Sequence, residues 1–285
     1  MWVKDFFDLI KIRILFSALL TTFFGYSVAL DFHLWNIVDL GWLLMGSGFI
    51  FAASAALNHV LEKDVDALMD RTKFRPLPSE RLTRFHVIGL VVFFMIIGCF
   101  ILALKTNWFV LCNGIAIFIL YDFVYTPLKR VSFLNTFVGA FPGAMPILSG
   151  WFMVQDSFNV FILLLFFMLY LWQLPHFFAI SWIYRSSYEF ANLKMISRGD
   201  SSGKTTRFYL VITSLSFVLS TYLPLFYVDL GVIYNYVITF LNVSLIVYVY
   251  KFCMDLNDML ARRILFITIF YPLLIPFTYC LGLFM

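Results

Sequence analysis

The sequence predicts an all-α integral membrane protein, a bundle of nine transmembrane helices. Three observations lead there. The 285-residue chain is 62% hydrophobic, 20% aromatic and 13% charged, whereas soluble domains are about 25% charged. Its apolar residues gather in runs of about 18 or more with few charges, the length that crosses a hydrocarbon core. Nineteen of its 20 Lys and Arg residues fall in alternate connections, matching the enrichment of basic residues on the cytoplasmic side.

In chain order the runs cover roughly 13–31, 39–59, 86–105, 107–125, 133–154, 158–184, 208–227, 230–250 and 264–284. The first follows Lys4, Lys11 and Arg13 and lacks a small-residue cleavage pattern, so it reads as a retained helix. Basic clusters follow spans two, four, six and eight, and only Lys105 falls on the opposite side. Nine crossings then put the amino terminus in the cytoplasm and the carboxyl terminus outside. The net charge of +4 is therefore a topology signal and makes no case for nucleic-acid binding. The connections after spans two and six run to roughly 25 residues, and long loops in compact proteins are usually functional or disordered. Both end in Thr-Arg-Phe, at Thr83–Phe85 and Thr206–Phe208, an echo that hints at two related halves. No linker or low-complexity tract divides residues 1–285, which read as one domain. Cys99, Cys112, Cys253 and Cys280 form no C-x-x-C pair and read as small apolar filler.

The most polar stretch, Asn58 to Leu77, directly follows an apolar run. Residues four apart on a helix share a face, with Cβ atoms roughly 5–6 Å apart. Asn58, Glu62, Asp66 and Asp70 have that spacing, giving one stripe with an amide and three carboxylates. Like charges so placed repel, and a hard divalent cation, which selects oxygen ligands, removes the penalty. Asp64 lies off that face. Downstream, Arg71, Lys73 and Arg75 suit a phosphate-bearing ligand. Together these suggest a metal-diphosphate site at a membrane surface.

Three other segments carry chemistry. At the end of span four, Tyr125-Thr126-Pro127-Leu128-Lys129-Arg130 places two cations that serve either as topology determinants or as phosphate contacts. Trp172-Gln173-Leu174-Pro175-His176 combines a proline, which permits a kink, with a histidine at membrane depth. That histidine either packs or meets a ligand. The second long loop, from Arg185 through Tyr188 and Glu189 to Asp200, is either a solvated connector or part of a site.

These motifs resemble the UbiA family of intramembrane prenyltransferases. The family's acidic signature matches at Asn58 and Asp66, and its R-T-x-x-R-P element at Arg71, Thr72, Arg75 and Pro76. Tyr125, Lys129 and Arg130 match the signature after span four. Gly139, Gly143, Ala144, Pro146, Gly150 and Trp151, with Trp172, Gln173, Pro175 and His176, resemble the haem-modifying branch. Tyr188, Ala191 and Asn192 continue the match. The chain departs from the pattern at His59, at Glu62 in place of Asp, at Ser187 in place of Asp, and at Ile12 in place of Pro. Glu189 or Asp200 is the available substitute for the acid missing at Ser187.

The resemblance implies transfer of farnesyl from farnesyl diphosphate to a vinyl carbon of haem B, with hydration, at a bacterial inner membrane. It implies Mg²⁺ held by Glu62 and Asp66 with Asp70, Asn58 in support, and diphosphate held by Arg71, Arg75, Lys129 and Arg130. Tyr125, Gln173, His176 and Tyr188 become substrate contacts, with Tyr125 able to face an allylic cation. A haem A synthase or terminal oxidase assembly is the implied partner. Rival readings are a related enzyme with an aromatic quinone-precursor acceptor, a secondary transporter, and a catalytically weakened assembly factor. Acids gathered at one membrane face argue against the transporter.

Overall fold

The computed structural model describes residues 2–30, 36–228 and 230–283, apart from the side chains of residues 2 and 280–283. The Cys280 reading therefore lies outside the described residues. All regular structure among them is helical, and eight helices are long and apolar enough to cross a membrane. The chain is a multi-pass membrane protein. It forms two compact units, residues 1–157 with 190–193, and 158–189 with 194–285.

The first unit opens with α1 (Trp2–Leu9), a short helix the apolar runs did not announce. The chain then turns at Lys11, whose φ of 49° lies in the left-handed region that Cβ-bearing residues seldom adopt. Helix α2 (Ile12–Ala29) follows. Asn36 caps α3 (Ile37–Leu61) by accepting from the Val38 and Asp39 amides, satisfying N–H groups that have no partner inside the helix. Next come α4 (Lys63–Leu68) and α5 (Arg84–Lys105), the latter capped by the Thr83 hydroxyl. Helix α6 (Trp108–Ile119) starts at an Asn107 cap and passes into a π-helical turn, Leu120–Tyr125, then the single turn α7 (Thr126–Leu128).

The stretch expected as an unbroken fifth span is two helices, α8 (Asn135–Ala144) and α9 (Pro146–Phe152). Pro146 has no N–H to donate into the preceding turn, so the ladder restarts there. Helix α9 lies against α2 through two glycines. A Cβ on Gly25 would fall on the Ile147 carbonyl, and one on Gly150 on the α2 backbone between Thr22 and Tyr26. Small residues at a membrane-helix crossing let backbones approach this closely.

A core of Leu9, Ile10, Ala52, Ala53, Ala56, Leu77, Leu82, Val87, Val91 and Phe94 ties α1, α3 and α5 to the loop after α4. Burying a Leu or Phe side chain contributes roughly 1.5–3 kcal/mol, so this polar loop is anchored.

The second unit holds α10 (Val160–Ile183), α11 (Arg185–Phe190) up to Glu189, α12 (Lys204–Ser220), a 3₁₀ turn at Leu223–Phe226, α13 (Gly231–Met254) and α14 (Asp258–Leu283). Helix α10 packs on α12 and α14, and α13 on α14. Helix α10 runs unbroken through Pro175. The two Thr-Arg-Phe sequences differ in role. Thr83 caps α5, while buried Thr206 lies inside the first turn of α12.

The α2–α9 crossing makes a specific forecast. Gly150→Leu drives a side chain into the α2 backbone and lowers the thermal midpoint of the purified protein by several degrees, since overpacking costs about 1–3 kcal/mol or more. Gly41→Leu, at a position with open space around it, leaves the midpoint unchanged.

Candidate functional site

Helix α3 delivers Asn58, fully buried, on its last turn and stops at Leu61. Glu62, at φ −101° and ψ 5°, is the hinge from which α4 restarts. Backbone bonds from Glu62 N to Asn58 O at 2.9 Å and from Asp66 N to Glu62 O at 2.8 Å carry the helical spacing across that hinge. Asn58, Glu62 and Asp66 thus remain one turn apart. The ladder ends there because Met69 is extended. Asp70 leaves the face, lies exposed and pairs with Lys73 at 2.6 Å. Its assignment as a third metal carboxylate is not supported by this geometry. Asp64 points away as well, to Arg84 at 3.1 Å on the surface.

Each of the three remaining residues meets a cation. Lys11 Nζ donates to Asn58 Oδ1 at 2.5 Å, and Asn58 Nδ2 donates to Thr126 Oγ1 at 3.0 Å. Lys129 Nζ donates to Glu62 Oε1 at 2.8 Å while lying 4.4 Å from the centre of the Tyr125 ring. Arg75 Nη1 donates to both Asp66 oxygens, at 2.9 and 2.8 Å. Asp66 is 3% exposed, so without Arg75 its ionised form would be costly. Gly139 makes room for the Tyr125 ring, which a Cβ there would strike.

Electrostatics follow from this crowding. Burial, together with repulsion from Arg75 and Lys129, brings the Lys11 ammonium down to about 8 despite Glu62. Burial opposes ionisation of Glu62, yet Lys129, Lys11 and Arg75 outweigh it and hold the carboxyl below its ordinary value. Burial likewise opposes the charge on Lys129, and Glu62 with Tyr125 and Tyr121 overrides it, raising that ammonium well above its usual range. The cluster holds three cations against two carboxylates and is suited to an anion.

Among the described residues no three His, Cys, Asp or Glu side chains converge into a metal cage. Mg²⁺ in phosphate sites takes one or two carboxylates, with water and phosphate oxygens completing its shell. Glu62 and Asp66 fit that smaller demand.

The other expected residues divide. Arg130 is exposed and donates to the Leu61 carbonyl at 3.3 Å, closing the carboxyl end of α3. Arg71 lines a cavity with Lys4, Arg75 and Arg81. In the second unit, Gln173 donates to Leu169 O at 3.0 Å, and His176 Nδ1 lies 2.9 Å from Thr268 Oγ1. Trp172 Nε1 donates to Thr268 O at 2.6 Å, fixing the ring beside His176. Tyr188 is buried on α11, its ring edge-on to Tyr184. Asp200 is not a spare carboxylate: its Oδ2 accepts from the Thr206 amide at 2.8 Å and hydroxyl at 2.9 Å at the start of α12. Glu189 is exposed.

Sequence reasoning missed two participants. Lys11 entered as a topology charge and as part of the Lys11-Ile12-Arg13 element, with no site role, because its reach depends on its own left-handed backbone. Asp122, fully buried in the π-helical turn, accepts from Ser54 Oγ at 2.6 Å. Its signal was available, since an acid inside an apolar run is rarely without a role.

The profile of the UbiA prenyltransferase family matches residues 18–275. A "Protoheme IX farnesyltransferase" of Flavobacterium psychrophilum is 32% identical over 287 residues, covering 99% of this chain and 95% of the relative. One from Listeria innocua is 34% identical over 89% of this chain and 84% of the relative. Among solved structures, a digeranylgeranylglyceryl phosphate synthase superposes with a TM-score of 0.79 at 15% identity, covering 99% of this chain and 98% of that one. A UbiA homologue from Archaeoglobus fulgidus bound to DMAPP and Mg²⁺ superposes with a TM-score of 0.69 at 14% identity over 99% of each chain.

The Lys129–Glu62 pair yields a double-mutant test. Lys129→Met alone leaves a buried carboxylate unpaired, a loss of about 3–5 kcal/mol, and lowers the unfolding midpoint markedly. Adding Glu62→Gln restores much of that loss. Strictly additive losses would mean the two side chains do not interact.

Proposed function

The chain belongs to the UbiA prenyltransferase family, and from that membership we propose that it makes haem O by transferring farnesyl from farnesyl diphosphate to a vinyl carbon of haem B, with addition of water. The observation carrying the proposal is the buried cluster of Lys11, Arg75 and Lys129 around Glu62 and Asp66. The choice of acceptor draws on the relatives named for protoheme IX farnesyl transfer.

In this reading Lys11, Arg75 and Lys129 receive the diphosphate. Their partners, the Asn58 amide and the Asp66 and Glu62 carboxylates, pre-place them, so they need little rearrangement as charge develops on the leaving oxygens. Glu62 and Asp66 are the two carboxylates for Mg²⁺, with the Asn58 amide in support. Bound there, the ion adds neutralising charge to the diphosphate. Tyr125 holds Lys129 over its ring face and, with Tyr121, offers aromatic surface to the allylic end. As the carbon–oxygen bond breaks, the electron pair stays with the diphosphate and the allylic carbon joins the vinyl carbon. Water then adds to the neighbouring carbon and releases a proton. Gln173, His176 and Tyr188 are assigned to the haem, and Arg71 and Arg130 support the diphosphate from outside the cluster.

The finer placement is also a proposal. The 285 residues act as one prenyltransferase domain in a bacterial inner membrane. With α8 and α9 counted as one crossing, nine crossings put the amino terminus in the cytoplasm and the carboxyl terminus outside. The product passes to a haem A synthase or directly to a terminal oxidase.

Membranes containing the chain, given haem B, farnesyl diphosphate and Mg²⁺, will form haem O detectable by mass. Asp66→Ala inserts but loses turnover by a factor of about 10² or more. Farnesylation of a phenolic acceptor in place of haem would overturn the acceptor assignment. Lys11 predicts a pH dependence. It is charged below about pH 8 and its contact with the anion is lost above, so KM for farnesyl diphosphate rises as pH passes 8. Lys11→Arg, which stays charged, flattens that rise; an unaltered profile would remove Lys11 from the site.

A further inference from the structure

The cavity that Arg71 lines, of about 580 Å³, lies in the first unit between α1 and the loop after α4. It is lined by Lys4, Arg71, Arg75 and Arg81, with Asp5, Asp8 and Phe74. Its walls are built, because Leu9 and Ile10 beside α1 and Leu77 and Leu82 from the loop are buried in one core. Arg81 is locked in orientation. Its Nε donates to buried Asp5 at 2.9 Å, Nη1 to Ser79 Oγ at 2.6 Å and Nη2 to Phe74 O at 2.9 Å. Three of five guanidinium N–H groups are thereby used, leaving two for a ligand. Arg75 belongs both to this cavity and, through Asp66, to the inner cluster.

We propose that this cavity is a second phosphate site, which binds a phosphate-bearing anion against Lys4, Arg71 and the fixed Arg81 guanidinium. Two sources share that chemistry: inorganic pyrophosphate leaving the inner cluster, and the headgroup of an anionic phospholipid at the membrane face. The pyrophosphate source rests on the prenyl-transfer reading, whereas phosphate binding itself does not. Planar guanidinium groups hold phosphate by paired N–H donors, and a lysine adds a point charge. Asp5 is matched by Arg81, so Asp8 is the carboxylate that opposes the anion.

The test is calorimetric titration of inorganic pyrophosphate, with chelator and no divalent ion, into the full chain in phosphatidylcholine nanodiscs. Two exposed positions give opposite signs, which a general loss of folding cannot do. Lys4→Glu weakens binding about tenfold, Asp8→Asn strengthens it several-fold, and KM for farnesyl diphosphate stays unchanged in both. Repetition in phosphatidylglycerol discs identifies the source. Unchanged pyrophosphate affinity assigns the cavity to the free anion, and a reduced one to the lipid headgroup. Pyrophosphate binding insensitive to both substitutions overturns the site. Loss of haem O formation with these shifts intact would instead overturn the prenyl-transfer reading and leave the site standing.

Discussion

The buried ion pair between Lys129 and Glu62 governs the geometry of the inner end of the first unit. It joins the end of α7 to the hinge between α3 and α4, at 2.8 Å and with both side chains largely hidden. Asn58 reinforces the join by donating to Thr126 one turn away. Charges this buried persist only when paired and hydrogen-bonded. The pair fixes the Glu62 carboxylate at the point where α3 stops, and the backbone bond from Asp66 N to Glu62 O sets where α4 carries Asp66. Arg75 then closes on Asp66, and Thr72 donates to its carbonyl at 3.0 Å. A loop that composition alone would call solvated thus becomes one wall of a cavity.

How far the site was legible in the sequence depends on how local each placement is. Asn58, Glu62 and Asp66 follow from a spacing of four, which survives the hinge because its backbone bonds keep helical connectivity. Asp70 follows the same rule in sequence and fails in space, since one extended residue, Met69, discards the register. Lys11 was invisible because a left-handed turn, not a periodic pattern, aims it at Asn58. Arg130 and Lys129 are neighbours yet part ways, one closing a helix end and the other entering the cluster. The long apolar helices were legible to within a few residues because hydropathy is a sum over many positions. The divided stretch from Asn135 to Phe152 was not, because one proline, Pro146, acts locally against an apolar run.

Pairing both candidate carboxylates with cations looks self-defeating for the proposed diphosphate and metal site. Energetics resolve the difficulty. Desolvation cancels most of the attraction in a buried ion pair, so its net contribution to stability is small. Exchanging one partner for another of like charge is correspondingly inexpensive. Under the proposed function, a diphosphate would take Lys129 and Arg75 from Glu62 and Asp66 while a cation takes up the carboxylates, because either ligand alone would leave a charge unmatched. Metal and diphosphate are then expected to bind interdependently.

The same reasoning bears on Glu62, where the resemblance to the family pattern leads one to expect Asp. A carboxylate longer by one methylene can reach Lys129 from a hinge residue that is no longer part of a regular helix. Backbone bonds on both sides of Glu62 keep helical connectivity, so its side chain leaves the chain on the face that Asn58 and Asp66 share, and there its carboxylate meets Lys129 at 2.8 Å.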